Sequence, residues 1–275
     1  MGAELRIGCS SWTSDAWRGK VYPEGIPDGE RLRYYARTFD TVEVDATYYR
    51  PPAPFVVRAW KEKTPDGFRF ALKLTRDYLD PKKPVDPARL ADFTSTVSLL
   101  GTKLGPVLLQ FSPWVRPGRA SDYLYRLLDA LDPSLRYAVE LRDAGWYSGP
   151  AWERLRTELA ARRIALAWSY LTYLDVPAER TTDFVYLRFI GDHTTVPAET
   201  HGEVRIDRTE AMRQWGDRLK GQLAELRAAF VFFNNHFAGF APASASRFRE
   251  EMGLPPADWS LPSRPERQQR LPLDG

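Results

Sequence analysis

A single cysteine, Cys9, stands in a chain of 275 residues, so the protein can form no internal disulfide and no cysteine-built structural zinc site. Histidine is almost as scarce, with only His193, His201 and His236. Barrel hydrolases that hold divalent metals draw on several histidines and carboxylates together, a supply this chain lacks, and no metal is assigned. No apolar run reaches the roughly 20 residues that a membrane-crossing helix needs, and no charged-then-apolar leader precedes the first strand. A cytoplasmic protein with no membrane partner is therefore expected. A surplus of one charge is missing too: 39 basic against 36 acidic side chains leave +3. Nucleic-acid binders carry a basic stripe, so a small molecule is favoured over nucleic acid as the partner. No Gly-x-Gly-x-x-Gly follows the first strand, and no cofactor is expected.

What the chain does have is alternation. Hydrophobic residues make up 43% and aromatic ones 13%, enough for one large core. Residues with period-two patterning predict strands at Leu5–Trp12, Thr41–Thr47, Phe68–Arg76, Pro106–Ser112, Tyr137–Arg142, Ile164–Tyr170, Phe184–Phe189 and Phe230–His236. Helices are predicted between them. Leu32, Tyr35, Ala36 and Phe39 fall at helical spacing, Pro54 opens a second helix, and Asp86-Pro87 reads as an N-cap with proline at the first helical position. Further helices follow at Tyr123–Leu131, Pro150–Arg163, Asp207–Ala228 and Pro242–Met252. The connection Leu171–Asp183 is short and holds Pro177, so the sixth helix shrinks to a turn. The stretch after Gly253 holds five prolines in 22 residues and reads as an irregular arm, residues 254–275, on a single domain of residues 1–253.

Eight strand–helix repeats predict an α/β fold, a single (β/α)8 TIM-type barrel. The runner-up, a doubly wound open sheet, lacks the glycine-rich turn. In a barrel the outward strand faces meet helices and the inward faces fill the lumen. Here Val42 and Val44 face out, while Glu43, Asp45, Lys73, Gln110, Glu140, Arg142 and Arg188 face in, with Asn234, Asn235 and His236 at the end of strand eight. The charges cancel, three against three. Burying six charges costs several kcal/mol each unless they pair, and apolar residues would fill the space at lower cost. The pattern thus suits a site, although a purely structural ion-pair network reads the same way.

The same residues resemble the YecE-like proteins, the domain of unknown function 72 family. Matching stretches are Ile7-Gly-Cys-Ser-Ser-Trp12 with Trp17 and Tyr22-Pro23, Tyr35-Ala36 leading to Phe39, the Thr41–Pro51 stretch, and Gly67–Lys73. Gly105–Gln110, Val139–Arg142 with Trp146, Tyr186-Leu-Arg188, and Asn234-Asn-His236 with Gly239 and Ala241 complete the series, in order, from Leu5 to Met252. The resemblance implies a TIM-type barrel and no established reaction. The chain departs from it at Ile190: it reads Arg188-Phe-Ile-Gly191 where the family usually has Arg-Leu-His-Gly.

Candidate roles follow from residue chemistry. Glu43, Asp45, Lys73 and Glu140 are the candidate catalytic groups, since carboxylates and a lysine desolvated together shift one another's pKa. A Schiff base at Lys73 is disfavoured because Glu43 on the next strand would keep the amine protonated. His236 with Glu140 or Asp45 could ligate a metal, but a hydrogen-bonded imidazole is the plainer reading. Candidate substrate-binding groups are Trp12, Tyr48, Gln110, Arg142, Trp146, Arg188, Asn234, Asn235 and His236. Loops after strands seven and eight form the usual phosphate site of this fold, and the helix opening at Ala241-Pro242 offers free N–H groups there. The aromatics after strand ends, Trp12, Trp17, Tyr48, Tyr49, Trp114, Trp146 and Tyr170, make a stacking wall or a cover for the barrel. The expectation is an acid–base enzyme (lyase, isomerase or hydrolase) acting on a small, phosphate- or carboxylate-bearing, ring-containing molecule. The alternative is a non-catalytic barrel that binds an anionic ligand or a nucleic-acid fragment.

Overall fold

Alternating apolar and polar residues fold into a closed barrel in the computed structural model, which describes residues 2–259. Its eight parallel strands follow chain order: β1 Glu4–Ser10, β2 Thr41–Val44, β3 Arg69–Lys73, β4 Leu104–Gln110, β5 Tyr137–Glu140, β6 Ala165–Leu171, β7 Phe184–Gly191 and β8 Ala228–Phe233. Closure comes from β1 pairing with β8, in register from Glu4 against Ala228 to Cys9 against Phe233. The α-helices are α1 Arg31–Thr38, α2 Ala46–Tyr49, α3 Pro54–Glu62, α4 Pro87–Val97, α5 Ser121–Asp129, α6 Gly149–Ala161, α7 Thr209–Lys220, α8 Asn235–Ala238 and α9 Ala241–Glu251.

Local chemistry sets several boundaries. Asp86 caps α4 by accepting the N–H groups of Ala88 and Arg89 at 3.1 and 3.2 Å, with Pro87 next in line, an arrangement worth about 1 kcal/mol. Between β6 and β7 the described residues form no helix. The coil there is tied down by Thr181, whose hydroxyl donates to the Ile164 carbonyl at 2.6 Å and accepts the Leu166 N–H at 2.9 Å. Trp168 donates its indole N–H to the Glu179 carbonyl at 2.8 Å and packs on Trp215 of α7, so coil and neighbouring helix cover the outside of β6.

Two apolar layers result. Ile7, Cys9, Val42, Val44, Leu72 and Val139 belong to the outer one, between sheet and helices. The lower lumen holds a separate cluster in which small residues such as Ala71, Ala138 and Ala167 leave room for Phe184, Tyr186, Phe230 and Phe232. Each large side chain so buried contributes about 1.5–3 kcal/mol. Above this plug, toward the carboxyl ends of the strands, the inward positions turn charged.

Six strands, β1 to β5 and β8, end sooner than their pattern predicts, and β2, β5 and β8 bear on the site. β2 stops at Val44, and Asp45 starts the helical turn α2, which also carries Tyr48. Thr47 explains the turn. Its hydroxyl donates to the Val44 carbonyl at 3.0 Å and accepts the Lys73 N–H at 2.9 Å, so a side chain replaces the next rung of the ladder. β5 stops at Glu140, leaving Arg142 on the loop above. β8 stops at Phe233, because Asn234 accepts the His236 N–H at 3.0 Å and caps α8. The predicted long helix before β8 is α7 alone, ending at Lys220. Of the C-terminal arm, residues 254–259 run without helix or strand along α9. The Arg249 guanidinium donates to the Pro255 carbonyl at 2.9 Å and the Ala257 N–H to Ser246 at 3.0 Å. Residues 260–275 of the arm lie outside the described residues.

Candidate functional site

Alternation on β2, β5 and β7 brings Glu43, Glu140 and Arg188 to one level of the lumen, each almost fully buried. Arg188 grips Glu43 through two bonds, Nε to Oε2 and Nη2 to Oε1, both 2.8 Å. Its Nη1 donates to Glu140 and, at 3.2 Å, to Gln110 Oε1. Tyr186 adds its hydroxyl to Glu43 Oε2 at 2.7 Å, and Ser169 adds its own to Glu140 Oε2 at 2.8 Å. Arg142 reaches down from the β5 loop and donates Nε to Glu140 Oε1 at 2.6 Å. On the other flank Lys73 Nζ lies 2.5 Å from Asp45, 3.0 Å from Gln110 Oε1 and 3.6 Å from Glu43, with the Tyr48 ring 5.8 Å away. The result is one continuous chain of pairs, from Asp45 through Lys73, Gln110 and Arg188 to Glu140 and Arg142.

The electrostatics follow from these contacts. Burial alone would raise the Glu43 carboxyl, but Arg188 and Lys73, helped by the Tyr186 hydroxyl, hold it below the usual carboxylate range. Glu140 behaves alike: burial opposes the charge, and Arg142, Arg188 and Ser169 outweigh it. Burial likewise opposes the Arg188 charge, yet Glu140 and Glu43 keep it firmly protonated. Burial, reinforced by Glu43, pushes the Tyr186 hydroxyl well up, so it remains a donor. At neutral pH both glutamates are ionised with every oxygen occupied from within. The expected proton transfer by Glu43 and Glu140 needs a free oxygen and a pKa nearer neutrality, and this arrangement supplies neither.

Other predicted site residues part company. Trp146 is fully buried and donates its indole N–H to the Val115 carbonyl at 2.7 Å; Trp12 is nearly buried, edge-on to Trp60 at 5.8 Å. Both cover the barrel and neither belongs to a stacking wall, because loop backbone and α3 close over them. Among the described residues the exposed aromatics are Tyr49, Phe55, Trp114 and Tyr173. Asn235 is occupied structurally: its Oδ1 accepts the Trp17 indole N–H at 3.2 Å and the Ala241 N–H at 2.9 Å. That second bond removes a donor from the predicted cradle at the start of α9. Pro242 has none to give, and the Ser244 N–H already bonds the Phe240 carbonyl. Arg188, sealed beneath Gln110 and Glu140, does not reach solvent. Ile190 packs with Leu171 and Val176, so the position that departs from the family pattern is apolar here.

A feature that residue-by-residue reading missed is a cluster of all three histidines. The ring of His193 lies 3.8 Å from that of His236, and His201 lies 4.5 Å away on another side. His236 Nδ1 sits 2.6 Å from the Val196 carbonyl, which cannot donate, so Nδ1 carries a proton. Burial, then His236 and Arg142, lower the His193 pKa against the opposing pull of Asp192. His201 is lowered by burial and by His236, against the Val196 carbonyl and Glu199. The signal was available: loops after β7 and β8 are neighbours in a barrel, and every histidine lies in one of them. Tyr186 and Ser169, also missed, sit at inward positions of the same alternation. Among the described residues no three His, Cys, Asp or Glu side chains are placed to hold a metal ion.

A groove of about 630 Å³ opens at the opposite end of the barrel, lined by Arg136, Arg162, Arg163 and Arg227 with Asp129 and Asp183. Helices α5 and α6 end there, and arginines beside helix carboxyl ends answer the negative pole of the backbone dipole. Asp129 pairs with Arg162 at 2.6 Å, and Asp183 with Arg227 at 3.3 Å. These groups satisfy one another, and none of the buried polar chain reaches this face, so the carboxyl end is the candidate site.

Comparison with known proteins agrees with the geometry. Residues 6–269 match the family described as "Protein of unknown function DUF72". The UPF0759 protein YecE of Escherichia coli K12 is 31% identical over 146 residues, a match covering 52% of this chain and 50% of that protein. This chain thus aligns with only half the length of that relative. The UPF0759 protein YunF of Bacillus subtilis 168 is 24% identical over 276 residues, covering 91% of this chain and 95% of YunF. Among solved structures, a DUF72 family protein from Thermotoga maritima superposes with a TM-score of 0.76 at 22% identity, covering 91% of this chain and 99% of that one. One from Enterococcus faecalis gives 0.75 at 20%, covering 94% and 99%. The likeness to these structures shows the shared barrel, and with the match along nearly the whole sequence the chain belongs to the DUF72 family.

Proposed function

We propose that the carboxyl end of this barrel binds a small phosphate- or carboxylate-bearing molecule, anchored by Arg142. One observation carries the reading. Both oxygens of Glu43 and of Glu140 are filled from inside, whereas Arg142 spends only Nε on Glu140 and, among the described residues, leaves its two terminal nitrogens unbonded. The layer therefore hides both glutamates and leaves the Arg142 donors toward the mouth, the polarity an anion requires. Glu140 holds the guanidinium in place, which lowers the ordering cost of binding. Exposed Trp114 and Tyr49, on the loops after β4 and β2, give a ring-bearing ligand a surface to stack on. In this reading the glutamates position cations, and proton transfer, where the ligand turns over, falls to other groups.

Titration calorimetry with sodium sulfate, pyrophosphate and succinate at low ionic strength tests it. Saturable one-to-one binding of at least one anion is expected, weakened about tenfold in Arg142→Met, the loss of one charge-assisted hydrogen-bonded anchor. Equal affinity in Arg142→Met, or no saturable binding of any of the three, overturns the proposal.

A further inference from the structure

We propose that His193, held against His236, is the proton-binding member of the mouth, so that capture of an anion beside Arg142 takes up a proton from solvent. The inference rests on the anion-binding reading and adds its regulation by pH. The histidine cluster is built rather than incidental. Gly191, at φ +69°, ends β7 so close to α8 that a Cβ there would sit 2.3 Å from the His236 carbonyl oxygen; two residues later the chain delivers His193 onto the His236 ring. The segment after it is pinned at several points. Lys20 Nζ bonds the Gly202 carbonyl at 2.7 Å, the Gly202 N–H the Gly239 carbonyl at 2.9 Å, and the Arg205 N–H the Ala238 carbonyl at 2.7 Å. The loop that carries His193 is therefore anchored to α8 and its C-terminal turn at its far end.

The groups facing the cluster decide what it does. On its own loop His193 has Asp192, whose carboxylate is already engaged by Thr172, Thr194 and Thr195. From α8 it meets His236, and from the β5 loop the Arg142 charge acts on it. Glu199 acts on His201, whose Nε2 is buried without a hydrogen-bond partner, and Glu203 lies 3.8 Å from Lys20. Without ligand, the nearby guanidinium and the second imidazole both oppose a charge on His193. Two rings 3.8 Å apart share one proton more readily than they hold two. An anion docked on Arg142 cancels one opposing charge and adds an attractive one, so the imidazole protonates as the anion arrives. The balance is simple: one proton from solvent joins a ring nitrogen of His193, no covalent bond in the anion changes, and release reverses both events. By linkage the anion then binds more tightly as pH falls.

Sulfate is the suitable probe, because its own charge does not change over the range in which histidine titrates. Calorimetry in two buffers of different ionisation enthalpy, at about pH 7.5 and about pH 5.5, should show affinity rising about tenfold toward the lower pH, with net proton uptake near neutrality. His193→Gln should abolish both the rise and the uptake while still binding sulfate, and His201→Gln should keep both. The ring Cε1–H resonance assigned to His193 should titrate at higher pH with sulfate present. Affinity independent of pH in the wild type, or pH dependence that survives in His193→Gln, overturns this inference and leaves the anion site standing. Absence of sulfate binding at either pH overturns this inference as well, while the anion site falls only with the loss of every anion tested or with equal affinity in Arg142→Met.

Discussion

Which cation carries Glu43 can be measured, and the structure makes the answer unequal. Arg188 meets Glu43 with two hydrogen bonds of 2.8 Å, while Lys73 stands off at 3.6 Å and spends its bonding on Asp45 and Gln110. Coulomb attraction differs little between those distances, about 6 against 5 kcal/mol at an effective dielectric of about 20. The difference lies in the two charge-assisted hydrogen bonds, at about 1.5 kcal/mol or more each. Glu43→Gln alone should cost about 3–5 kcal/mol, the penalty for breaking a buried pair, and lower the melting point by roughly 6–20 °C. Double-mutant cycles then separate the partners. The coupling of Glu43→Gln with Arg188→Met should exceed its coupling with Lys73→Met by about 3 kcal/mol, two such bonds. Urea unfolding followed by tryptophan fluorescence and by circular dichroism serves as the assay, with all variants in one osmolyte-containing buffer so that Arg188→Met stays folded. Equal couplings, or a larger one for Lys73, would refute the view that Arg188 is the keystone of the layer.

The same layer predicts an acid limb to stability. The carboxyls of Glu43 and Glu140 are held low in the fold, so their contribution is complete above the ordinary glutamate value of 4.5 and is lost as pH falls below it toward the folded values. Urea midpoints taken at stepped pH should therefore drop below that value in the wild type and drop less in Glu43→Gln; parallel curves would contradict the assignment. Gly191→Ala should cost about 1–3 kcal/mol from backbone strain alone and shift the ring resonances of His193 and His236, since its Cβ would collide with the α8 backbone. A thermal midpoint and a histidine spectrum that both match the wild type would count against that contact.

Period-two patterning revealed the barrel because strand faces in this fold have no intermediate environment: they meet either helices or lumen. It identified Glu43, Lys73, Gln110, Glu140 and Arg188 as inward neighbours, and the structure joins all five in one bonded chain. Strand ends were not legible, because they depend on single side chains such as Thr47 and Asn234 that compete with the backbone ladder. Aromatic residues misled for a related reason. Trp12, Trp146 and Tyr49 all follow strands in the sequence, and only tertiary cover, absent from a linear pattern, sorts the buried pair from the exposed Tyr49. The histidine cluster needed a second inference, namely that loops from consecutive strands lie side by side at the mouth.

Closure by β1 and β8 also dictates how the chain must be made. Residues Glu4 to Cys9 leave the ribosome well before their partners, Ala228 to Phe233. At about 5–20 residues per second, on the order of ten to forty-five seconds separate them. Throughout that interval the nascent sheet keeps a raw β1 edge, and Arg188 arrives on β7 long after Glu43 and Glu140 have been synthesised. The two carboxylates wait in solvent for their common counter-charge, and the lumen can seal only when β8 is delivered. Translation that stops short of Phe233 leaves a parallel sheet with two open edges, a substrate for chaperones and proteases rather than a smaller working barrel.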